Sequence, residues 1–201
     1  MNKEKIIAFL TKLHKNTRPW LLYIGLFVIL RYTGLISAAS SITQSALLQT
    51  GVLDASTSEN KGIAKNFDYD FRIVDLQNKT VDVSSFKGKI LFINLWATWC
   101  GPCRVEMPSI QNLYNTVDKD KVVFIILSLD HKDPYAKVSK FVQDKDFNFP
   151  VYLPASELPS QLQVKSIPTT FIVDSKGKII QKETGATNFD TDEFRKFLEA
   201  L

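Results

Sequence analysis

Only two cysteines occur in this 201-residue chain, and they stand three positions apart in Trp99-Cys100-Gly101-Pro102-Cys103. The run follows a continuous apolar stretch, residues 90–96, that reads as a buried strand, so a helix should open after Cys100. A thiol at a helix N-terminus faces unpaired backbone N–H groups and the positive end of the helix dipole, both of which favour the thiolate. In such settings a thiol pKa falls from about 8.5 into the range of roughly 3.5 to 7.5. Cys100 is therefore the expected nucleophile, and Cys103, one turn later, the expected resolving thiol. Attack by Cys100 on a disulfide forms a mixed disulfide, and Cys103 then displaces the released partner while the pair itself becomes oxidised. The dithiol is the whole redox machinery, and no further cofactor is required.

Two plainer uses of the pair fit less well. Zinc normally takes four ligands, and the only histidines, His14 and His131, are far apart in sequence, so no metal site is expected. A structural disulfide spanning two residues closes too small a loop to constrain the unfolded chain.

The segments around the pair alternate between strand-like and helix-like periodicity from residue 67 onward, which predicts an α/β domain with a mixed sheet. Residues 71–76 and 80–83, joined at Gln77-Asn78, read as a hairpin. Residues 122–129 read as a second buried strand, after which Asp133 should cap a helix with Pro134 at its first position, running to about Lys145. Two further strands, 170–173 and 178–182, flank the turn Asp174-Ser175-Lys176-Gly177. A closing helix, capped by Thr191, should pack through Phe194, Phe197 and Leu198.

Composition is that of an ordinary globular protein, with 45% hydrophobic and 23% charged residues, which excludes a largely disordered chain. The net charge of +4 is not spread over the domain. Lys3, Lys5, Lys12, Lys15 and Arg18 outweigh Glu4 in the first eighteen residues, Arg31 adds one more cation, and the remainder is close to neutral. A neutral main domain has no electrostatic footprint for nucleic acid. The basic residues instead precede an apolar stretch from Trp20 to Leu30 that resumes after Arg31. Its ten Leu, Ile, Phe and Val residues contribute about −5 kcal/mol of insertion free energy, against roughly +2.5 to +3.5 for a central Arg. Residues 19–40 are therefore expected to be a transmembrane anchor, with the basic tail 1–18 in the cytoplasm and all that follows on the other side. A cleaved signal peptide ending near Ser37-Ala38-Ala39 is the alternative, and it exports the same domain. Ile6, Ile7, Leu10 and Leu13 follow helical spacing and fit a short amphipathic helix on the inner membrane surface. Residues 41–66 are rich in Ser, Thr, Gln and Asn and read as a linker. Its apolar residues, such as Leu47, Leu48, Val52 and Leu53, fit either an extended membrane helix or an interfacial position.

Residues 67–201 resemble the thioredoxin superfamily, and specifically its membrane-tethered TlpA/ResA-like branch. The resemblance rests on Leu95-Trp96-Ala97-Thr98-Trp99-Cys100-Gly101-Pro102-Cys103, on Pro108, and on Ser166-Ile167-Pro168-Thr169-Thr170-Phe171. It implies a thioredoxin-like fold: a central mixed sheet flanked by helices, with an N-terminal hairpin and an extra helix-strand insertion over about 133–153. It also implies a cis peptide at Ile167-Pro168 facing the cysteines, a kink in the active-site helix at Pro108, and a substrate groove formed by Trp99, Gly101, Pro102, Ile167, Pro168 and Thr169. Cytosolic thioredoxins carry a buried Asp six residues before the first cysteine, and this chain has Asn94 there, which cannot titrate. Glu106, three residues after Cys103 on one helix face, matches the active-site Glu of ResA-like proteins and is the candidate proton carrier. Its plainer reading is a solvated surface carboxylate. Trp96 should be core and Trp99 rim, and Arg104 should face solvent or steer substrate.

The Gly-Pro dipeptide between the cysteines and Ile before Pro168 look like reducing thioredoxins, so the expected activity is reduction of protein disulfides. A reductase outside the cytoplasm needs an electron supply, which implies a membrane donor of the CcdA/DsbD type. Apocytochrome c is the best-known substrate type of the branch. The competing function is a tethered redox-sensing or partner-binding module on the same fold. A peroxidase is weaker, because peroxiredoxins place a lone reactive cysteine in a different sequence setting.

Overall fold

The structure is a computed structural model that describes residue 20 and residues 22–29, 53–57, 65–131 and 133–201. The chain divides into two units, residues 1–43 and residues 44–201. In the first, residues 22–29 are helical and expose Leu22, Tyr23, Phe27 and Ile29. Among the described residues no helix is long and apolar enough to cross a membrane, and the rest of the expected anchor, like the basic tail, lies outside the described residues.

The second unit is an eight-stranded mixed sheet, as described, in the order β1-β8-β7-β4-β5-β6-β2-β3. Its strands are β1 (Lys65–Asn66), β2 (Arg72–Asp75), β3 (Thr80–Asp82), β4 (Ile90–Trp96), β5 (Val122–Ser128), β6 (Val151–Pro154), β7 (Thr169–Val173) and β8 (Lys178–Thr184). The helices are α1 (Gly101–Thr116), α2 (Pro134–Asp144) and α3 (Asp192–Glu199). The pairs β4–β5 and β5–β6 are parallel, joined through α1 and α2, and the other pairs are antiparallel. Two successive crossovers stepping the same way across a sheet place their helices on one face. Buried residues of α1, α2 and α3 accordingly belong to one core with Ile90, Phe92 and Trp96 of β4. The alternate residues Leu91, Ile93 and Leu95 join a second core covered by Phe67, Tyr69, Phe71, Val83 and Leu162. The helices thus flank the sheet on one side only, and loops and 3-10 turns cover the other.

The hairpin, the insertion and the strand that leads to the cysteines form where the periodicity places them. At the hairpin turn Asn78 takes φ 65°, and Asp75 Oδ1 accepts the backbone N–H groups of Gln77 and Lys79. Thr191 caps α3 by accepting the Phe194 N–H at 3.1 Å, and Phe194 and Leu198 are fully buried. Asp133 departs from expectation. It occupies the cap position of α2 but in the left-handed region, φ 58° and ψ 57°, and its side chain makes no capping bond. Side-chain capping needs an extended backbone, whereas the residue before proline is barred from the right-handed region and Asp tolerates the left-handed one.

Candidate active site

Cys100 is the N-cap of α1, at φ −81° and ψ 106°, where β4 has ended and the helix has not begun. Its sulfur accepts the Cys103 N–H at 3.2 Å, so an orphan donor of the first turn is aimed at the reacting atom. The two sulfurs are bonded to one another, which makes this the oxidised form. Cys100 keeps 5% of its surface in solvent while Cys103 keeps none, so an incoming partner meets Cys100 first.

The approach to Cys100 is held by Asp130, at the end of β5. Its Oδ1 accepts the Thr98 hydroxyl at 2.6 Å, and its Oδ2 accepts both the Thr98 N–H and the Ser128 hydroxyl at 2.8 Å. Leu129 N–H donates to the Trp96 carbonyl at 2.8 Å and ties the same two strand ends together. Sequence reasoning passed over Asp130, although a lone carboxylate directly after an apolar strand was a usable signal.

Across from the disulfide, Ile167-Pro168 is a cis peptide, and the Ile167 carbonyl lies 3.7 Å from Cys100 Sγ. Pairing of Thr169 with Leu95 brings this loop beside the end of β4, and the Thr169 hydroxyl donates to the Ser166 carbonyl at 2.8 Å. Gly101 and Trp99 are exposed, Trp99 by 69%, Pro102 and Ile167 are half-buried, and Pro168 and Thr169 are buried. Of these residues Ile167 is the one whose backbone contacts the Cys100 sulfur, and Trp99, Gly101 and Pro102 flank that cysteine in the chain. Arg104 faces solvent with its guanidinium 5.7 Å from the centre of the Phe141 ring, and Pro108 lies within α1.

Glu106 is not a surface carboxylate. It is fully buried beneath the first turns of α1. Asn94 Nδ2 donates to its Oε1 at 2.8 Å and the Thr187 N–H to its Oε2 at 3.1 Å. Burial pushes its pKa up from 4.5 to about 8, against the opposing pull of those two donors. Asn94, which replaces an acid at its own position, is thus the partner of the acid one strand-to-helix layer away, and it also donates to Thr170 Oγ1 at 2.9 Å. Neither Thr170 nor Thr187 was singled out from sequence. Thr170 sits in the quoted motif, but nothing local marks Thr187, 81 residues from its partner. Glu106 lies three residues after Cys103 on α1, with one carboxyl oxygen held by Asn94 and the other by Thr187.

A family model, Redoxin, matches residues 63–201. The thiol-disulfide oxidoreductase ResA of Bacillus thuringiensis subsp. konkukian is 37% identical over 128 residues, 63% of this chain and 73% of the relative. ResA of Geobacillus kaustophilus is 32% identical over 133 residues, 66% of this chain and 74% of the relative. The fold matches the crystal structure of StoA from Bacillus subtilis with a TM-score of 0.54 at 23% identity, covering 63% of this chain and 94% of StoA. With a disulfide whose first cysteine caps a helix and this breadth of sequence and fold agreement, the chain belongs to the redoxin family, as a ResA-like thiol-disulfide oxidoreductase of the thioredoxin superfamily.

Proposed function

We propose that this protein reduces disulfides of protein substrates outside the cytoplasm, anchored in the cytoplasmic membrane by residues 19–40. The observation that carries the chemical part is the asymmetry of the pair: Cys100 is a partly accessible helix cap receiving an N–H, and Cys103 is sealed beneath it beside a buried acid. In the reduced form, Cys100 thiolate attacks a substrate sulfur; a Cys100–substrate S–S bond forms, the substrate disulfide breaks, and one substrate thiolate leaves. Cys103 gives its proton to Glu106 in the molecules where that carboxyl is ionised, a fraction that grows as pH rises toward about 8, and attacks Cys100 Sγ. The Cys100–Cys103 bond forms, the second substrate thiolate leaves, and two electrons have passed from protein to substrate.

Trp99, Gly101, Pro102, Ile167, Pro168 and Thr169 form the docking rim, where an extended substrate chain pairs with the backbone beside Pro168. The basic residues ahead of Trp20 support an inward N-terminus. A membrane donor of the CcdA/DsbD type returns electrons to the disulfide, and apocytochrome c is one substrate class compatible with this arrangement. In native membranes, Cys103→Ala should accumulate mixed disulfides on Cys100 whose partners are exported or membrane proteins. Partners confined to cytoplasmic proteins would reject the location, and an absence of adducts would reject the exchange order.

A further inference from the structure

Residues 53–57 precede the region matched by the redoxin family and fall in a stretch whose composition reads as linker. They are nonetheless docked on the domain. The Ala55 N–H donates to the Asn188 carbonyl at 2.9 Å, and the Asn188 N–H donates to the Leu53 carbonyl at 2.7 Å. The Asn188 side-chain amide donates to Asp54 Oδ1 at 2.7 Å, completing a short parallel bridge. Ala55 is buried in the helix-side core. A second observation is independent of that bridge: Gln181, buried in β8 after Ile179 and Ile180, donates its Nε2 to the Ser56 carbonyl at 2.7 Å as well as to Glu183 Oε1 at 2.7 Å. The Nε2 group has two hydrogens to place, and the segment supplies one of its two acceptors.

The loop that this segment grips, residues 185–190, reaches the rest of the site. Gly185 N–H donates to the Pro168 carbonyl at 2.9 Å, and Thr187 N–H donates to Glu106 Oε2 at 3.1 Å. Phe189 N–H donates to Ser109 Oγ at 3.2 Å, and Asp190 Oδ2 accepts the Asn112 amide at 2.7 Å, both on α1. We propose that residues 53–57 are a positioning segment of the active site, pairing with Asn188 to hold loop 185–190 where Thr187 binds Glu106 and Gly185 binds Pro168. A backbone N–H serves a carboxylate well only when its own position is fixed, and the loop supplies that fixity on one side while the segment supplies it on the other. The inference rests on the reading of Glu106 as the proton carrier. The groups facing Glu106 are Asn94 from β4 and Thr187 from the loop, with Thr170 of β7 behind Asn94 and Cys103 one turn away on α1. Among the described residues no ion pair reaches it.

The test uses the full chain and two substitutions outside the machinery. Ala55→Pro removes the N–H that binds Asn188, and Asp54→Ala removes only the exposed side-chain bond. Two quantities are read on the oxidised protein: hydrogen exchange of the Thr187 amide, and the pH profile of its reduction by dithiothreitol. Ala55→Pro should speed Thr187 exchange about tenfold or more. It should also move the Glu106-dependent step upward by about half a unit or more, because the lost donor favoured the carboxylate. Asp54→Ala should move both the same way, with exchange rising about twofold. Both shifts in the profile should vanish when Glu106→Gln is added. Wild-type exchange and profile in Ala55→Pro, or in Asp54→Ala should the first not fold, would overturn the proposal. If Glu106→Gln alone leaves the profile unchanged, the proton role of Glu106 fails instead, and Thr187 exchange by itself then decides whether the segment clamps the loop.

Discussion

Strand β4 is buried on both faces, but its two rows of side chains live in different surroundings. Leu91, Ile93 and Leu95 face a core of aliphatic and aromatic side chains, whereas Asn94, in the row with Ile90, Phe92 and Trp96, donates to the buried Glu106 carboxyl and to Thr170, and Thr187 binds the other oxygen of Glu106. Phe92 shows how well the helix-side row is packed around that polar island, with its ring 4.8 Å from Phe124 and 5.0 Å from Phe189. The molecule accepts a cost on one of these faces and not on the other. Polar groups out of water destabilise unless they are hydrogen-bonded, and an acid held neutral is cheaper to bury than an anion. The site retains such an acid beside its resolving thiol, and the opposite face of the same strand has none.

The largest test of that contrast is pH. A carboxyl whose pKa is raised by folding, here from 4.5 to about 8, binds a proton in the native state that the unfolded chain releases. Its contribution is therefore complete below about 4.5 and is lost as pH rises through about 8. For the oxidised protein the loss is on the order of 5 kcal/mol, measured by urea unfolding across that window. Glu106→Gln should abolish this slope; a slope that survives would place the acid's influence elsewhere. Next in size, Ile93→Asn puts an amide on the dry face, where no partner awaits it, and should cost about 3 to 5 kcal/mol. A cost below about 1 kcal/mol would mean that the two faces tolerate polarity alike. The smallest effect belongs to Thr170→Val, which removes one acceptor from Asn94 and should cost about 1 kcal/mol while leaving the dithiol chemistry near wild type.

How much of this was legible in the sequence follows from the range of each interaction. The strand 90–96, the helix after Cys100 and the Thr191 cap carry their signals within a few residues, and each stands where those signals place it, whereas the cis Ile167-Pro168 peptide is legible only through the family resemblance. Glu106 stands out by its place on the helix and by its match to ResA-like proteins, but its hydrogen-bond partners, Asn94 and Thr187, lie 12 and 81 residues away. Polar composition made residues 53–57 read as linker, while their docking is decided by Asn188, 134 residues from Asp54. Asp133 shows the local failure: residue type and the following Pro134 were read correctly, but the backbone angle that capping requires is not written in either.

In the exchange proposed above, Cys100 is the reachable nucleophile and Cys103 the sealed one. The most direct measurement is the rate at which each thiol of the fully reduced protein is alkylated by iodoacetamide, followed site by site from pH 5 to 9. Cys100 should react at least about tenfold faster at neutral pH, titrating below the ordinary thiol value of about 8.5. Equal rates, or faster labelling of Cys103, would contradict the account.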